Sequence, residues 1–342
     1  MFYRHIHSFR AIAIAGVVAE FCLSSVTWND KHLAVYAIGS LVAGSGIWFA
    51  FIAGFLFQHL SPRFEISRYY GRKIRNVIVP YLIMSIPALI VVTGVSQLSS
   101  MPAAFYDVPV WKQVVLLLAT GKQLEPFWFV PALVLLYVAA PLFIRVDRAR
   151  WPYLLLVPAI AASMILGRDG FQDLMGGGLL WAPVSAAVYL LAPYMVGMFC
   201  SRHHERILRM SAEEVNLLLA MAAMAYALNV HYLNSPDAHA ALFVFKLVSS
   251  PLLVYATYRM SNRVAGKLAP IATYSFGIYL LHGYVIDMSK FAASNSVVGT
   301  LFDHGGIVVH ALLTAIVILG CYWILTTAKQ ILGPSSRMVT GC

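Results

Sequence analysis

Charge is what this chain has least of. Asp, Glu, Lys and Arg make up 11% of its 342 residues, against about 25% in soluble domains. That scarcity excludes a soluble globular protein and a charge-rich disordered one. Acidic residues are the scarcer sign, 14 against 24 Lys and Arg. Cysteine is scarce too, with four in all. Cys22, Cys200 and Cys321 lie in or beside apolar runs, and Cys342 is the last residue. There is no CxxC and no Cys/His ligand spacing, so neither a disulfide framework nor a metal site is expected. No repeat period, low-complexity segment or soluble appendage appears, so residues 1–342 read as one domain. Gly176, Gly177 and Gly178 lack the preceding strand and the Lys-Ser/Thr of a phosphate loop.

What is present is apolar mass: 60% hydrophobic residues and a mean hydropathy of +0.76. The chain reads as an all-α, polytopic membrane protein. A span needs about 20 apolar residues. About ten such runs can be marked, near 10–27, 37–59, 76–97, 126–145, 151–167, 179–200, 213–233, 240–259, 268–288 and 305–328. The apolar stretch Trp111–Thr120 is too short to cross and reads as an interfacial or re-entrant helix. The N-terminal run has a signal-like shape but no clean cleavage site, so it reads as an uncleaved first span.

The net charge of +10 follows the positive-inside rule rather than nucleic-acid binding. One side collects Arg4 and Arg10, Arg63 to Arg75, Arg145 to Arg150, Arg202 to Arg209, Arg259 to Lys267, then Lys329 and Arg337. The other side takes Lys31, Lys112, Lys122, Arg168 and Lys290. The alternation at each loop predicts an even number of spans and both termini in the cytoplasm.

Ionisable residues inside spans are costly and mark function by default. They are Arg10, Glu20, Lys246, His282, Asp287, His310 and His231. Glu20 lies ten residues, about 15 Å, beyond Arg10 on one helix, so the two do not pair. Glu20 reads as a proton donor or acceptor in a cavity, or as a carboxylate held by Lys246 or an Arg from another helix. His7, three residues before Arg10, reads as a general base or an interfacial His. Arg68, Arg72, Lys73 and Arg75 crowd the start of the third run. Arg72 and Arg75, at helical spacing, suit a phosphate-bearing ligand, because guanidinium binds such groups bidentately. Topology and anionic lipid explain the number of charges there but not that pairing. His282 stands late in the ninth run, among Tyr274, Tyr279 and Tyr284.

Five segments, in order, resemble the integral-membrane acyltransferase 3 family. They are IHSFRAIAIAGVVAEF, IWFAFIAGFLF, RYYGRKIRNVIVPYLI, FWFVPALVLLYVAAPLF and YSFGIYLLHGYVI. The resemblance implies a bacterial inner-membrane enzyme that moves an acyl group, most often acetyl from acetyl-CoA, to a hydroxyl of a surface polysaccharide or its lipid-linked precursor. It implies a glycan acceptor, membrane lipid and glycan-biosynthesis proteins as partners, with no nucleic acid and no metal. It places the CoA donor at Arg72 and Arg75, with Arg68 and Lys73 beside them. It places catalysis at Arg10 and His282, and the acceptor at Trp128, with Tyr279 near. The family's usual His eleven positions after the first-helix Arg is Phe21 here, its Asp three before that Arg is His7, and the Ser before the second-span Gly is Ala53. Glu20 or His7 then takes over proton handling, with Arg10 orienting the base or stabilising charge, or activity is altered or lost. Two other readings are a transporter or flippase using Glu20, Lys246 and Asp287 as a proton relay, and a non-catalytic partner in glycan assembly.

Overall fold

The computed structural model describes residues 4–26, 33–98, 101–149, 151–232, 237–294 and 306–342. Lys31 and Arg150, both used in the charge sorting, lie outside them. Every regular element among the described residues is helical. In chain order they are α1 (Arg4–Leu23), α2 (Leu33–Val42), α3 (Gly46–Leu60), α4 (Ile66–Lys73), a π-helical turn (Ile74–Ile78), α5 (Val79–Gly94), α6 (Val110–Thr120), α7 (Phe129–Val138), α8 (Ala140–Ala149) and α9 (Leu156–Leu166). There follow α10 (Gly170–Leu174), α11 (Ala182–Arg202), α12 (His204–Leu208), α13 (Ala212–His231), α14 (Asp237–Arg259), α15 (Asn262–Thr273), α16 (Ser275–Ser294), α17 (Gly306–Leu332) and α18 (Ser336–Val339).

Six stretches are long and apolar enough to cross a membrane: Arg4–Leu23, Val35–Arg63, Ile66–Gly94, Leu179–Arg202, Ala238–Arg259 and Gly306–Val339. Two more are helix pairs bent by 57° (Glu125–Val138 with Ala140–Ala149) and 65° (Asn262–Thr273 with Ser275–Phe291). The protein is therefore a multi-pass membrane protein, with six to eight candidate spans among the described residues where ten are expected. The run at 151–167 yields only the 11-residue α9, which at 1.5 Å per residue is too short to cross. The run at 213–233 forms the 20-residue α13, but Glu213, Glu214, Asn216 and Asn229 dilute its apolar character. Ser211 caps α13 through a reciprocal pair of bonds with Glu214, which satisfies the first amides of the helix. The stretch at 111–120 is the short α6, ended by Gly121 in the left-handed conformation.

The central helix is α1, which touches α2, α3, α14, α15, α16 and α17. Ile6, Phe9, Ala13, Ile14 and Val18 are wholly buried. The most extensive helix pair is α3 with α11. Its closeness comes from glycine: a Cβ on Gly54 would sit 1.9 Å from the Tyr194 carbonyl oxygen, and one on Gly197 would sit 2.0 Å from that of Phe51. Small residues let backbones approach in a membrane, where apolar side chains gain little from leaving lipid. A Gly54→Val or Gly197→Val protein should lose its folded population, because the obstacle is backbone on both sides. The check is a monodisperse peak and a thermal melt in detergent; wild-type behaviour of both variants would show that the helices can part freely.

Candidate functional site

The second span is broken. Between α2 and α3 the chain turns at Ala43–Ser45, with Gly44 at φ +67°, a backbone region open to glycine at little cost. A break exposes carbonyls at the end of α2 and amides at the start of α3, which lipid cannot satisfy. Two charges on other helices serve them. Lys246 of α14 is fully buried. Its Nζ donates to the Leu41 carbonyl at 2.6 Å and to Ser45 Oγ at 3.3 Å. It also lies 3.7 Å from the centre of the Trp48 ring. Glu20 Oε1 of α1 accepts the Gly44 amide at 2.9 Å. The cation thus sits at the negative end of one half-helix and the anion at the positive end of the other, the signs the helix dipoles favour. Both residues act on one break, with no direct ion pair between them among those found.

That break forms one wall of a cavity of about 580 Å³, within the range of small-molecule sites. Glu20, Phe21, Gly44, Gly46 and Ile47 line one side; Trp128, Phe129, Tyr189 and Tyr279 line the other. Glu125, Arg168, Asp169 and Asp173 bring charge to it. The Arg168 guanidinium lies 5.1 Å from the centre of the Trp128 ring and pairs with Asp169 at 3.3 Å. Aromatic faces beside carboxylates suit a polyhydroxylated ligand: rings cover C–H faces and carboxylates accept hydroxyl hydrogens. Tyr279 is held in place by donating its hydroxyl hydrogen to the Pro126 carbonyl.

His282 does not line this cavity but touches two side chains that do, Phe21 and Tyr279. Its Nδ1 is 2.7 Å from the Tyr279 carbonyl and 3.2 Å from that of Ile278. A carbonyl only accepts, so Nδ1 carries the hydrogen and Nε2 presents a bare lone pair. That Nε2 is buried and has no hydrogen-bond partner among the described residues. An unsatisfied buried polar group costs about 1–3 kcal/mol. Phe21 packs against this imidazole, ring edge-on, at 5.2 Å between centres. Phe21 and His282, on α1 and α16, are thus in direct ring contact.

A second cluster lies at the other end of α1. Arg10 Nη2 donates to Ser275 Oγ at 2.8 Å, at the bend between α15 and α16. Lys73 Nζ lies 3.7 Å from the centre of the Tyr137 ring, and Arg10 is an electrostatic neighbour of both residues. No carboxylate lies within 4 Å of Arg10 or Lys73 among the described residues. His7 approaches the Ala269 carbonyl at 3.2 Å and Thr273 Oγ1 at 3.3 Å, so it ties α1 to α15 beside this cluster. The π-turn after Lys73 inserts a residue into the helix and resets its faces. Arg68, Arg72 and Arg75 are exposed, while Lys73 turns inward. Of the four basic residues expected to bind a donor, the structure brings Lys73 alone to Arg10.

A family model described as an acyltransferase domain, acyltransferase 3, matches residues 4–326. The chain belongs to this family. No curated protein and no solved structure matches it. In this acyltransferase 3 chain the expected site residues fall into two groups. Glu20, Trp128 and Tyr279 line the cavity, with His282 against Tyr279; Arg10, His7 and Lys73 gather at the far end of α1. The relay suggested by Glu20, Lys246 and Asp287 does not form a series: Asp287 is exposed and its charged neighbour is Lys290. His310 Nε2 donates to the Ala19 carbonyl at 2.8 Å and fastens α17 to α1. His231 is exposed beside Tyr232. Sequence reasoning passed over Glu125, Arg168 and Asp169 as loop charges. It also read Ala43–Gly46 as part of a continuous span, although its Gly-Ser-Gly was the signal of a break.

Proposed function

We propose that the protein is a membrane O-acyltransferase. It takes an acyl group, most simply acetyl, from acyl-CoA at its Arg-rich, cytoplasmic end. It delivers that group to a hydroxyl of a surface polysaccharide, or of its lipid-linked precursor, held in the cavity. The reading rests on α1: one helix carries an un-neutralised cationic cluster at one end and, about 15 Å on, a cavity whose lining residue Phe21 touches an imidazole with a bare nitrogen. Cations without carboxylates suit the phosphates of CoA, whose long pantetheine arm carries the thioester toward the cavity. Arg72 and Arg75, exposed at the same end, meet the donor first, and Lys73 and Arg10 hold it deeper.

His282 is the base in this scheme. The acceptor hydroxyl gives its proton to Nε2 as its oxygen attacks the thioester carbonyl carbon. The carbon–sulfur bond breaks, the acyl group stays on the acceptor oxygen, and the proton passes from imidazolium to the departing CoA thiolate. Phe21 turns aside to admit the hydroxyl. Glu20, already accepting the Gly44 amide, shapes the cavity wall and orients the acceptor. Arg10 lies too far from Glu20 to act on the same hydroxyl and serves the donor. The membrane in question is the bacterial inner membrane.

The test is transfer of label from acetyl-CoA to glycan in membranes that contain the protein. No label in glycan, with the protein folded and both substrates present, overturns the reading. Trp128→Ala should raise the acceptor KM up to about tenfold, with the donor KM unchanged, since an aromatic stacking contact is worth about 0.5–1.5 kcal/mol beyond the area it buries. An unchanged acceptor KM would place the glycan elsewhere.

A further inference from the structure

The C-terminal segment 333–342 lies beyond the residues matched by the family model. It is built into the fold nonetheless. The short helix α18 packs on α5 and on the π-turn that follows Lys73. Ser336 and Thr340 are buried. Ser336 Oγ donates to the Cys342 carbonyl at 3.0 Å, and Thr340 Oγ1 donates to the Ser336 carbonyl at 2.9 Å. Gly341, at φ +80°, lies against the Phe276 ring. The Cys342 sulfur sits 2.7 Å from where a Gly277 Cβ would be, two residues from the Ser275 that holds Arg10. The segment is therefore a strap packed beside the cationic cluster.

Arg337 is the one charged side chain on that strap. Its side chain is exposed, and it is an electrostatic neighbour of Arg10. No carboxylate pairs with it among the described residues. Three cations from three separate elements thus share one electrostatic neighbourhood, with no carboxylate side chain paired to any of them among the described residues. Like charges held together repel, and a polyanion between them reverses the sign of that interaction. Ser336 and Thr340 anchor the strap from within, which leaves Arg337 free to reach outward.

We propose that Arg337 is a donor-binding residue, the third cation of a cage for phosphate that Arg10 and Lys73 begin. The inference rests on the acyl-CoA reading for the identity of the ligand and on the strap for its geometry. The ligand chemistry is a phosphate or pyrophosphate group, carried by the donor.

The experiment uses the full chain in lipid-free detergent micelles, as wild type, Arg337→Ala and Arg337→Lys. Two acetyl donors are compared: acetyl-CoA, and the phosphate-free thioester S-acetyl-N-acetylcysteamine. Arg337→Ala should raise the KM for acetyl-CoA about tenfold, the scale of one charge-assisted contact. It should leave kcat within about twofold, and Arg337→Lys should restore most of the affinity. The KM for the phosphate-free thioester should be the same in all three. An unchanged KM for acetyl-CoA overturns the assignment, and so does an equal rise for both donors. Binding of coenzyme A is measured alongside by calorimetry, with and without added phosphatidylglycerol. Coenzyme A binding that ignores Arg337 in micelles, while phosphatidylglycerol binding depends on it, makes the partner a lipid headgroup and overturns the donor role. Arg337-dependent coenzyme A binding with no transfer by any variant would sink the transferase reading and leave the cage standing.

Discussion

A His282→Asn enzyme transfers acyl groups about 10²–10⁴-fold more slowly than the wild type, the range expected for loss of a positioned general base. Asparagine keeps an N–H that can reach the Tyr279 carbonyl, so the local hydrogen bond to α16 survives. It has no basic ring nitrogen to take the place of the buried, unpartnered Nε2 of the imidazole that packs on Phe21. The fall should therefore appear in kcat, with folded yield and donor KM unchanged. Glu20→Gln is the control, because its amide oxygen still accepts from Gly44; its loss of activity should stay within about tenfold. If the two results are exchanged, with Glu20→Gln inactive and His282→Asn active, Glu20 is the base. Full activity in both leaves neither residue with a role in proton transfer. The argument turns on satisfaction of polar groups: Glu20 already has a backbone partner, and His282 Nε2 has none.

Lys246→Met should be strongly destabilising. Methionine matches the length of the lysine stem but donates no hydrogen. The Leu41 carbonyl loses its 2.6 Å partner, Ser45 Oγ loses one at 3.3 Å, and the ring of Trp48 loses its cation. Removing one member of a buried charged network costs about 3–5 kcal/mol, read as a large drop in Tm in detergent. Because Glu20 serves the same break, the effects should not add. The double variant Glu20→Gln/Lys246→Met should be more stable than the sum of the two single losses predicts. Strict additivity would mean that the two ends of the break are independent of each other. The cavity should suffer with the break, so Lys246→Met also weakens acceptor binding although Lys246 does not line the cavity.

Much of the architecture was legible in the sequence because membranes impose long apolar runs, and such runs are read without knowing what they pack on. The first span, the third and the last appear near where their apolar runs lie. The failures have physical reasons. Residues 151–167 have the composition of a span, but Trp151–Leu155 forms a separate 3₁₀ turn and leaves an 11-residue helix. Residues 37–59 read as one helix because a single Gly-Ser-Gly among aliphatics barely lowers hydropathy. In the structure it is the point where the chain turns and the cavity begins. The bend at Tyr274, which sets Ser275 against Arg10, carried no sequence mark beyond Pro270.

The site divides in the same way. Composition and the family's motifs were enough to name Arg10, Glu20, Trp128 and His282, since each is a polar or motif residue in an apolar run. Which of them share a site was decided by tertiary structure. Facing is a matter of register: Arg72 and Lys73 are neighbours on α4, about 100° apart around its axis, so Arg72 is exposed and Lys73 turns inward, with Arg75 back on the exposed side. Contacts between Phe21 and His282, or between Lys246 and Leu41, join residues more than 200 positions apart, and no spacing rule reaches that far. By itself, the sequence determined that this is a membrane-embedded helical acyltransferase 3 chain and supplied its short list of polar groups. Only the folded arrangement decided which of those groups are already satisfied by the backbone and which still have a lone pair or a charge to offer a substrate, because satisfaction depends on partners that only folding brings within hydrogen-bond distance.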